Sequence, residues 1–435
     1  MDELFDLPPT PVEPRATGRG RPRLLRPNRD QILLRPIDLE SLLPPDHRAR
    51  LVWAFVEGLD LTAFTDRIRA VEGHSGRPAI DPAILVALWL YATLEGVGSA
   101  RALDRLCREH DAYRWLCGGV SVNYHTLADF RVETAELLDE LLVQSVAALL
   151  VSGEVTLSRV AHDGLRIRAS AGAGSFHRRS TLERRLAEAE AQVAALKAEL
   201  DEDPAATSRR IAAARERAAR ERAERASAAL AALPAIEAAR RRRTAEPPEP
   251  ARASTTDPEA RIMRLGDGAY RPAYNAQLTT DVGSGLVCAV GVTTRGSDQG
   301  ELRPAVERLE RAFGRVPTEI LADGGYVSHA EIEALAACGT SLYAPPTAPR
   351  VGRDPTRPLP TDSPAVAAWR TRMGSAAGQR IYRLRAASAE WVNALARNRG
   401  LQRLSVRGLR KVRAVLLWFA LAHNLAQTLT LRAGT

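Results

Sequence analysis

The sequence predicts an α/β protein: a mixed sheet with flanking helices, preceded by an all-helical N-terminal region and interrupted by a helical hairpin. Three observations predict it. Residues 36–152 place apolar side chains at helical spacing between glycine breaks, and β-branched runs begin after residue 153. A long Ala/Arg/Glu-rich helical segment then separates the first such run from the rest. A chain of 435 residues has room for two or three domains. Its four cysteines form no CxxC pair and no disulfide framework, which fits a reducing cytosol. The opening Met1-Asp2-Glu3 lacks an apolar leader, and the apolar run Ala414 to Leu421 is far short of the roughly 20 residues of a membrane span. Neither secretion nor membrane insertion is expected.

Residues 1–35, rich in Pro, Arg and Gly, read as a flexible basic arm. Within 36–152, Asp81-Pro82 opens a helix that runs to about Gly96, and Ser99 caps the next. Thr126 and Asp129 resemble a capping box before a long helix carrying Leu137, Leu138, Leu141, Leu142, Val146 and Leu149. These short helices with basic ends suit either DNA binding or dimerisation. From 153 to 175 the pattern is a strand containing His162-Asp163-Gly164. Residues 176–260 form the insertion: Leu182, Leu186, Ala189, Val193, Leu196 and Leu200 step as a coiled-coil seam, a second helix returns as far as Leu233, and a Pro-rich linker closes it. Residues 261–435 resume the sheet. Tyr274 to Asp281 and Leu286 to Thr293 form a hairpin, Gly300 to Phe313 a helix, and Glu319 to Ala322 a strand ending at Asp323. A helix through Ile332, a strand through Leu342 and mostly helical residues 380–430 follow. This order, with mixed pairing and flanking helices, is an α/β sheet of the RNase H type.

Charge is distributed unevenly. The chain carries a net +9, yet residues 366–435 hold thirteen basic side chains against a single acid, Glu390. Such a patch suits a polyanion, most plausibly nucleic acid. Asp163 and Asp323, each expected at a strand end, would project to one edge of the sheet, where Glu390 on a helix can complete a cluster of hard oxygen donors. That donor set takes Mg²⁺ or Mn²⁺. Two ions about 3.5–4 Å apart would activate an attacking oxygen and stabilise a departing one in phosphodiester chemistry. An Asp-Gly pair at a strand end is most often only a turn, so neither aspartate alone decides anything. Arg383, Glu390 and Arg397 are spaced by seven and share a face on a regular helix, which makes Arg383 the expected neighbour of Glu390. Asp298 is open between a fourth acid and a loop or cap residue, and His162 between a phosphate or water contact and a structural role. There is no P-loop and no zinc spacing, so neither ATP nor zinc is expected.

Tyr382, Arg385, Glu390 and Arg397 resemble the Tyr-Arg-Glu-Lys signature of DDE-type insertion-sequence transposases, with Arg in place of the final Lys. His162-Asp163-Gly164, Tyr274-Asn-Ala-Gln277 and Ile320-Leu-Ala-Asp323-Gly-Gly-Tyr326 are similar to the family's strand blocks, and Gly76-Arg-Pro78 through Tyr124 to Arg131 to its N-terminal domain. The resemblance implies an RNase H-like core, with Asp163, Asp323 and Glu390 as ligands of two Mg²⁺ or Mn²⁺ ions. It implies Tyr382, Arg385 and Arg397 at the DNA, with Arg383 the alternative to Arg385 by helix spacing, and hydrolysis and strand transfer at terminal inverted repeats. Double-stranded DNA is the expected partner of a homodimer in the bacterial cytosol, associated with the nucleoid when bound, with no membrane and no ATP. A metal-dependent nuclease without strand transfer, or an inactive DNA-binding or scaffolding protein, are the alternatives.

Overall fold

The computed structural model describes residues 38–71, 73, 78–202, 209–241, 250–347 and 354–433. The N-terminal arm, Leu200 within the expected seam, and most of Gly76-Arg-Pro78 lie outside the residues whose side chains it describes. Residues 39–435 form one compact unit.

The sheet is built from β1 (Arg159–Arg168), β2 (Tyr270–Asp281), β3 (Val287–Thr293), β4 (Glu319–Leu321) and β5 (Ser341–Tyr343), in the spatial order β3-β2-β1-β4-β5. β2 runs antiparallel to β1 and β3, while β4 and β5 run parallel to β1. A further strand, Arg261–Arg264, which the sequence did not mark, pairs with the first residues of β2. Antiparallel neighbours need only a turn. At β2–β3, Asp281 Oδ2 accepts from the Ser284 amide at 2.9 Å and its hydroxyl at 2.8 Å, and Gly285 takes φ +72°. Parallel neighbours need crossovers, which Leu302–Phe313 and His329–Ala337 provide. This mixed sheet is compatible with the RNase H-like fold expected from the sequence.

The N-terminal helices follow the expected capping in part. Asp81 accepts from the Ala83 amide at 2.8 Å and starts Pro82–Leu94, and Ser99 starts Ala100–Glu109. The capping box at Thr126 is corrected. Asn123 Oδ1 accepts from the amides of His125 and Thr126, both at 3.0 Å, so the helix Tyr124–Glu133 begins before Thr126. A break at Thr134 then separates it from Ala135–Val151.

The last helix, Leu409–Ala433, ties the helical region to the sheet. Its Trp418 ring lies 6.5 Å from Trp89 and 6.2 Å from Phe130, and its other side faces β3. Asn424 exchanges two 2.8 Å hydrogen bonds with the backbone of Val287, satisfying groups at the edge of β3. By length and composition Leu409–Arg432 could cross a membrane, but two-thirds of its apolar window is buried inside this protein. One hydrophobic core therefore runs across the boundary expected near residue 152.

The insertion is a pair of helices, Arg179–Glu202 and Arg209–Arg241, packed on each other. Of the expected seam, Leu182, Ala189 and Leu196 are buried, whereas Leu186 and Val193 are half-buried. The second helix does not stop before Pro234 but runs through it. Leu233 and Ile236 bury against Leu182, Ala251 and Ala253 in a small separate core, which offsets the hydrogen bond that the proline removes. The two ends of the insertion pair with each other, Phe176 with Ser254 and His177 with Ala253.

Candidate active site

Asp163 is the fifth of the ten residues of β1, not its end. Strand alternation places His162 and Gly164 on one face and Asp163 on the other. A Cβ on Gly164 would stand 2.7 Å from Asp298 Oδ1 and 3.0 Å from Asn275 Oδ1, so a strand that continues past Asp163 requires glycine here. Asp298 is neither a fourth acid beside Asp163 nor a helix cap. Its carboxylate accepts from Asn275 Nδ2 at 2.6 Å, Gln277 Nε2 at 3.1 Å and Arg166 Nη2 at 3.0 Å. His162 is fully buried between Thr279 Oγ1 at 2.9 Å and Gln277 Oε1 at 2.8 Å, and Tyr326 donates to the same Gln277 oxygen at 2.7 Å. Burial, with Arg308 adding and Gln277 opposing, pushes the imidazole down to about 3, so it is neutral and structural.

On the other face, three acids surround one guanidinium. Arg385 Nη2 lies 3.3 Å from Asp163 Oδ2 and 4.0 Å from Asp323 Oδ2, and Nη1 lies 2.5 Å from Glu390 Oε1. Asp323 stands two residues past the end of β4, where its Oδ1 accepts from the Gly325 amide at 2.7 Å and so caps the turn Gly324–Tyr326. Asn393 donates to Asp163 Oδ2 at 3.0 Å. The site is graded in exposure, with the Asp163 side chain 14 % exposed, Asp323 43 % and Glu390 53 %. Burial pushes the Asp163 carboxyl above the ordinary carboxylate range; Arg385 opposes this and Asp323 adds to it. Burial also works against the charge on Arg385, but Asp163, Tyr382, Glu390 and Asp323 outweigh it and hold the guanidinium above its ordinary value. Tyr382 is half-buried beside them, its phenol raised by burial.

The pairing of Arg385 with Glu390 corrects the expectation that Arg383 would be the neighbour. Residues Ala386–Glu390 form one π turn between the helices Ala376–Arg385 and Trp391–Asn398. In an α-helix a residue five positions on points roughly 140° away, but a π turn closes at i→i+5 and brings the two into line. Ser388 donates its hydroxyl to the Leu384 carbonyl at 2.9 Å inside this turn. Arg383 and Arg397 are exposed, whereas Arg385, expected at the DNA, has its guanidinium engaged by carboxylates. Trp391 is 39 % exposed and meets His423 edge-on.

The donor chemistry fits a hard divalent cation, because three carboxylates face a point that a guanidinium neutralises. As they lie, no three His, Cys, Asp or Glu side chains among the described residues are placed to hold one ion, and the guanidinium stands between the acids. Sequence reasoning missed Asn393, whose only signal is its place one turn after Glu390.

Residues 37–133 match the family described as transposase domain (DUF772), and residues 359–429 match the transposase DDE domain. Two segments of the chain thus match transposase domains. They indicate a transposase and support the insertion-sequence DDE group. Tyr382, Arg385, Glu390, Asn393 and Arg397 fall inside the second matched segment, while Asp163 and Asp323 lie between the two. No curated protein and no solved structure shows a significant match to the chain.

Proposed function

We infer that this transposase hydrolyses a phosphodiester at each terminal inverted repeat of its element and then joins the freed 3′-hydroxyl to target DNA. The observation that carries the reading is the meeting of Asp163, Asp323 and Glu390, from three distant parts of the chain, around Arg385. These three acids would hold two Mg²⁺ or Mn²⁺ ions, which when bound supply activation of the attacking oxygen and charge stabilisation at the departing one. Asp163 is fixed by a strand with neighbours on both sides and oriented by Asn393. Asp323 is oriented by the Gly325 amide, and Glu390 is the most exposed of the three. Arg385 neutralises the acids before substrate binds, and once the acids have other counterions its fork is free to turn to a phosphate oxygen. Arg383 and Arg397 supply exposed positive charge beside the same helix. Water and a 3′-hydroxyl are the attacking groups, so no protein nucleophile is required.

A gel assay on a duplex bearing candidate terminal repeats, with and without Mg²⁺, tests this reading. Wild type should cut and join. Asp163→Asn, Asp323→Asn and Glu390→Gln should each lose both steps, by at least about 1000-fold, while still shifting the duplex. Cleavage retained by any one of them removes that residue from the ligand set. Cutting without joining would leave a nuclease, and binding alone a scaffold.

A further inference from the structure

A second constellation lies away from the acids, where the N-terminal helices meet the loop that follows the Glu390 helix. A recess of about 270 Å³ is lined there by Arg131, Arg399 and Arg403, together with Gly98, Ser99 and Ser405, and no carboxylate among the described residues lines it. Arg131 lies over the Trp89 ring, its guanidinium carbon 4.7 Å from the ring centre. Its Nη1 donates to the Gly98 carbonyl at 2.6 Å and to Ser405 Oγ at 3.2 Å. Its Nε is buried without an acceptor, and so is Nη1 of Arg399.

Buried cationic donors with no partner are costly, and most such groups in folded proteins are satisfied. Burial alone pushes Arg131 down to about 10. Arg399 is also lowered, by burial first and then by Arg48, against Glu95. Glu95 is itself paired with Arg48 at 3.0 Å. The helix Ala100–Glu109 begins at the recess with Ser99 as its cap, which adds the positive end of a ten-residue helix dipole. Three guanidinium groups, two unmet donors and a helix start without an acid make a site for a tetrahedral oxyanion.

We propose that this recess binds phosphate, either a phosphate of the DNA backbone or free inorganic phosphate. The guanidinium fork matches phosphate oxygens in pairs, and Ser99, whose oxygen only accepts from the Ala102 amide, adds a hydroxyl donor, whereas the Ser405 hydroxyl already donates to the Gly98 carbonyl at 3.2 Å. Binding there has a mechanical consequence. The Arg168 amide donates to the Gln402 carbonyl at 3.1 Å, and the Leu404 amide donates to the Arg168 carbonyl at 2.8 Å. A phosphate gripping Arg399 and Arg403 would therefore fix this loop against β1, the strand that carries Asp163. Only the DNA form of the proposal rests on the transposase reading.

The test uses the full chain, its Arg399→Gln/Arg403→Gln double variant, and the single Arg403→Gln variant in case the double variant folds poorly. Arg403 is exposed and its replacement should leave the fold intact. Calorimetric titration with inorganic phosphate, at ionic strength matched with chloride, should give saturable binding that weakens at least tenfold in the double variant. Duplex binding by fluorescence anisotropy across a salt series separates the sources. If DNA is the ligand, affinity should drop about tenfold in the double variant and the slope of log K against log salt should shrink by about one to two. If free phosphate is the ligand, phosphate binding is lost while duplex affinity and slope stay unchanged. Phosphate binding no stronger than chloride in wild type, with the duplex slope unaltered in the variants, overturns the proposal. A chain that never cuts DNA would still show the phosphate isotherm, so the two readings fail separately.

Discussion

Replacing Arg385 by Ala leaves Asp163, Asp323 and Glu390 facing one another with no cation between them. Removing one partner of a buried ion pair costs several kcal/mol, and here two of the three carboxylates reach solvent, so a loss of about 2–3 kcal/mol is expected in urea unfolding at low salt. Added Mg²⁺ should restore more stability to Arg385→Ala than to wild type, because the same oxygens then need another counterion. His162 makes a pH prediction. Its folded pKa of about 3 lies below the ordinary value near 6.5, so the stability of the neutral form is complete above pH 6.5 and declines as pH falls towards 3. The slope is on the order of 1.4 kcal/mol per pH unit. The melting temperature should fall steadily between pH 6.5 and 4, and less steeply in His162→Gln. At this scale the three acids could be singled out because acid type and a lone Glu in a basic stretch are sequence properties, whereas the mid-strand place of Asp163 was not read. Asn393, the Arg385 pairing and the Asp298–Gln277–His162 network were not, because each depends on which strands and turns become neighbours.

The π turn is the element on which the site depends. Deleting Ala387 would leave Glu390 four positions after Arg385 on an α-helix and still in line with it, whereas inserting one Ala after Ala387 should rotate Glu390 by about 100° relative to Arg385. Cleavage should be abolished with the helical circular dichroism unchanged, whereas Ala387→Ser, at an exposed position, should leave activity within about twofold. A heptad reading of Arg383, Glu390 and Arg397 assumes a regular helix. Nothing in Ala386-Ala-Ser-Ala389 marks the extra residue, so the error in the expected neighbour was built into the period. The insertion makes a second test at this scale. Its ends pair at Phe176–His177 and Ala253–Ser254, so replacing residues 179–250 by a short Gly/Ser turn should leave the sheet's cooperative unfolding in place. Calorimetry on that variant would show it. Pro234 was read as a stop because proline ends most helices, but tertiary burial of Leu233 and Ile236 overrides it.

For the whole molecule, the shared core sets what can be separated. Leu416, Leu417, Trp418, Phe419 and Leu421 are all buried, and they bridge the N-terminal helices and β3. A fragment of residues 36–152 made alone should lack cooperative unfolding and bind a hydrophobic dye, because Trp89 and Phe130 lose Trp418. The succession of strands along the chain was legible from the alternation of apolar runs and amphipathic helices, and so was the helical character of the described parts of residues 36–152 and 380–430. That these parts share one core was not, since sequence patterns show which face of a helix is apolar but not what covers it.

The site draws on residues 163, 323 and 390, and the helix that fastens the sheet to the N-terminal region ends only at residue 433. A nascent polypeptide therefore cannot bring the three acids together until residue 390 has left the ribosome, nor fasten the sheet until the last helix has followed. A chain cut short after residue 400 would keep all three acids yet lose the helix that fastens the sheet, and it should fail to fold cooperatively in calorimetry.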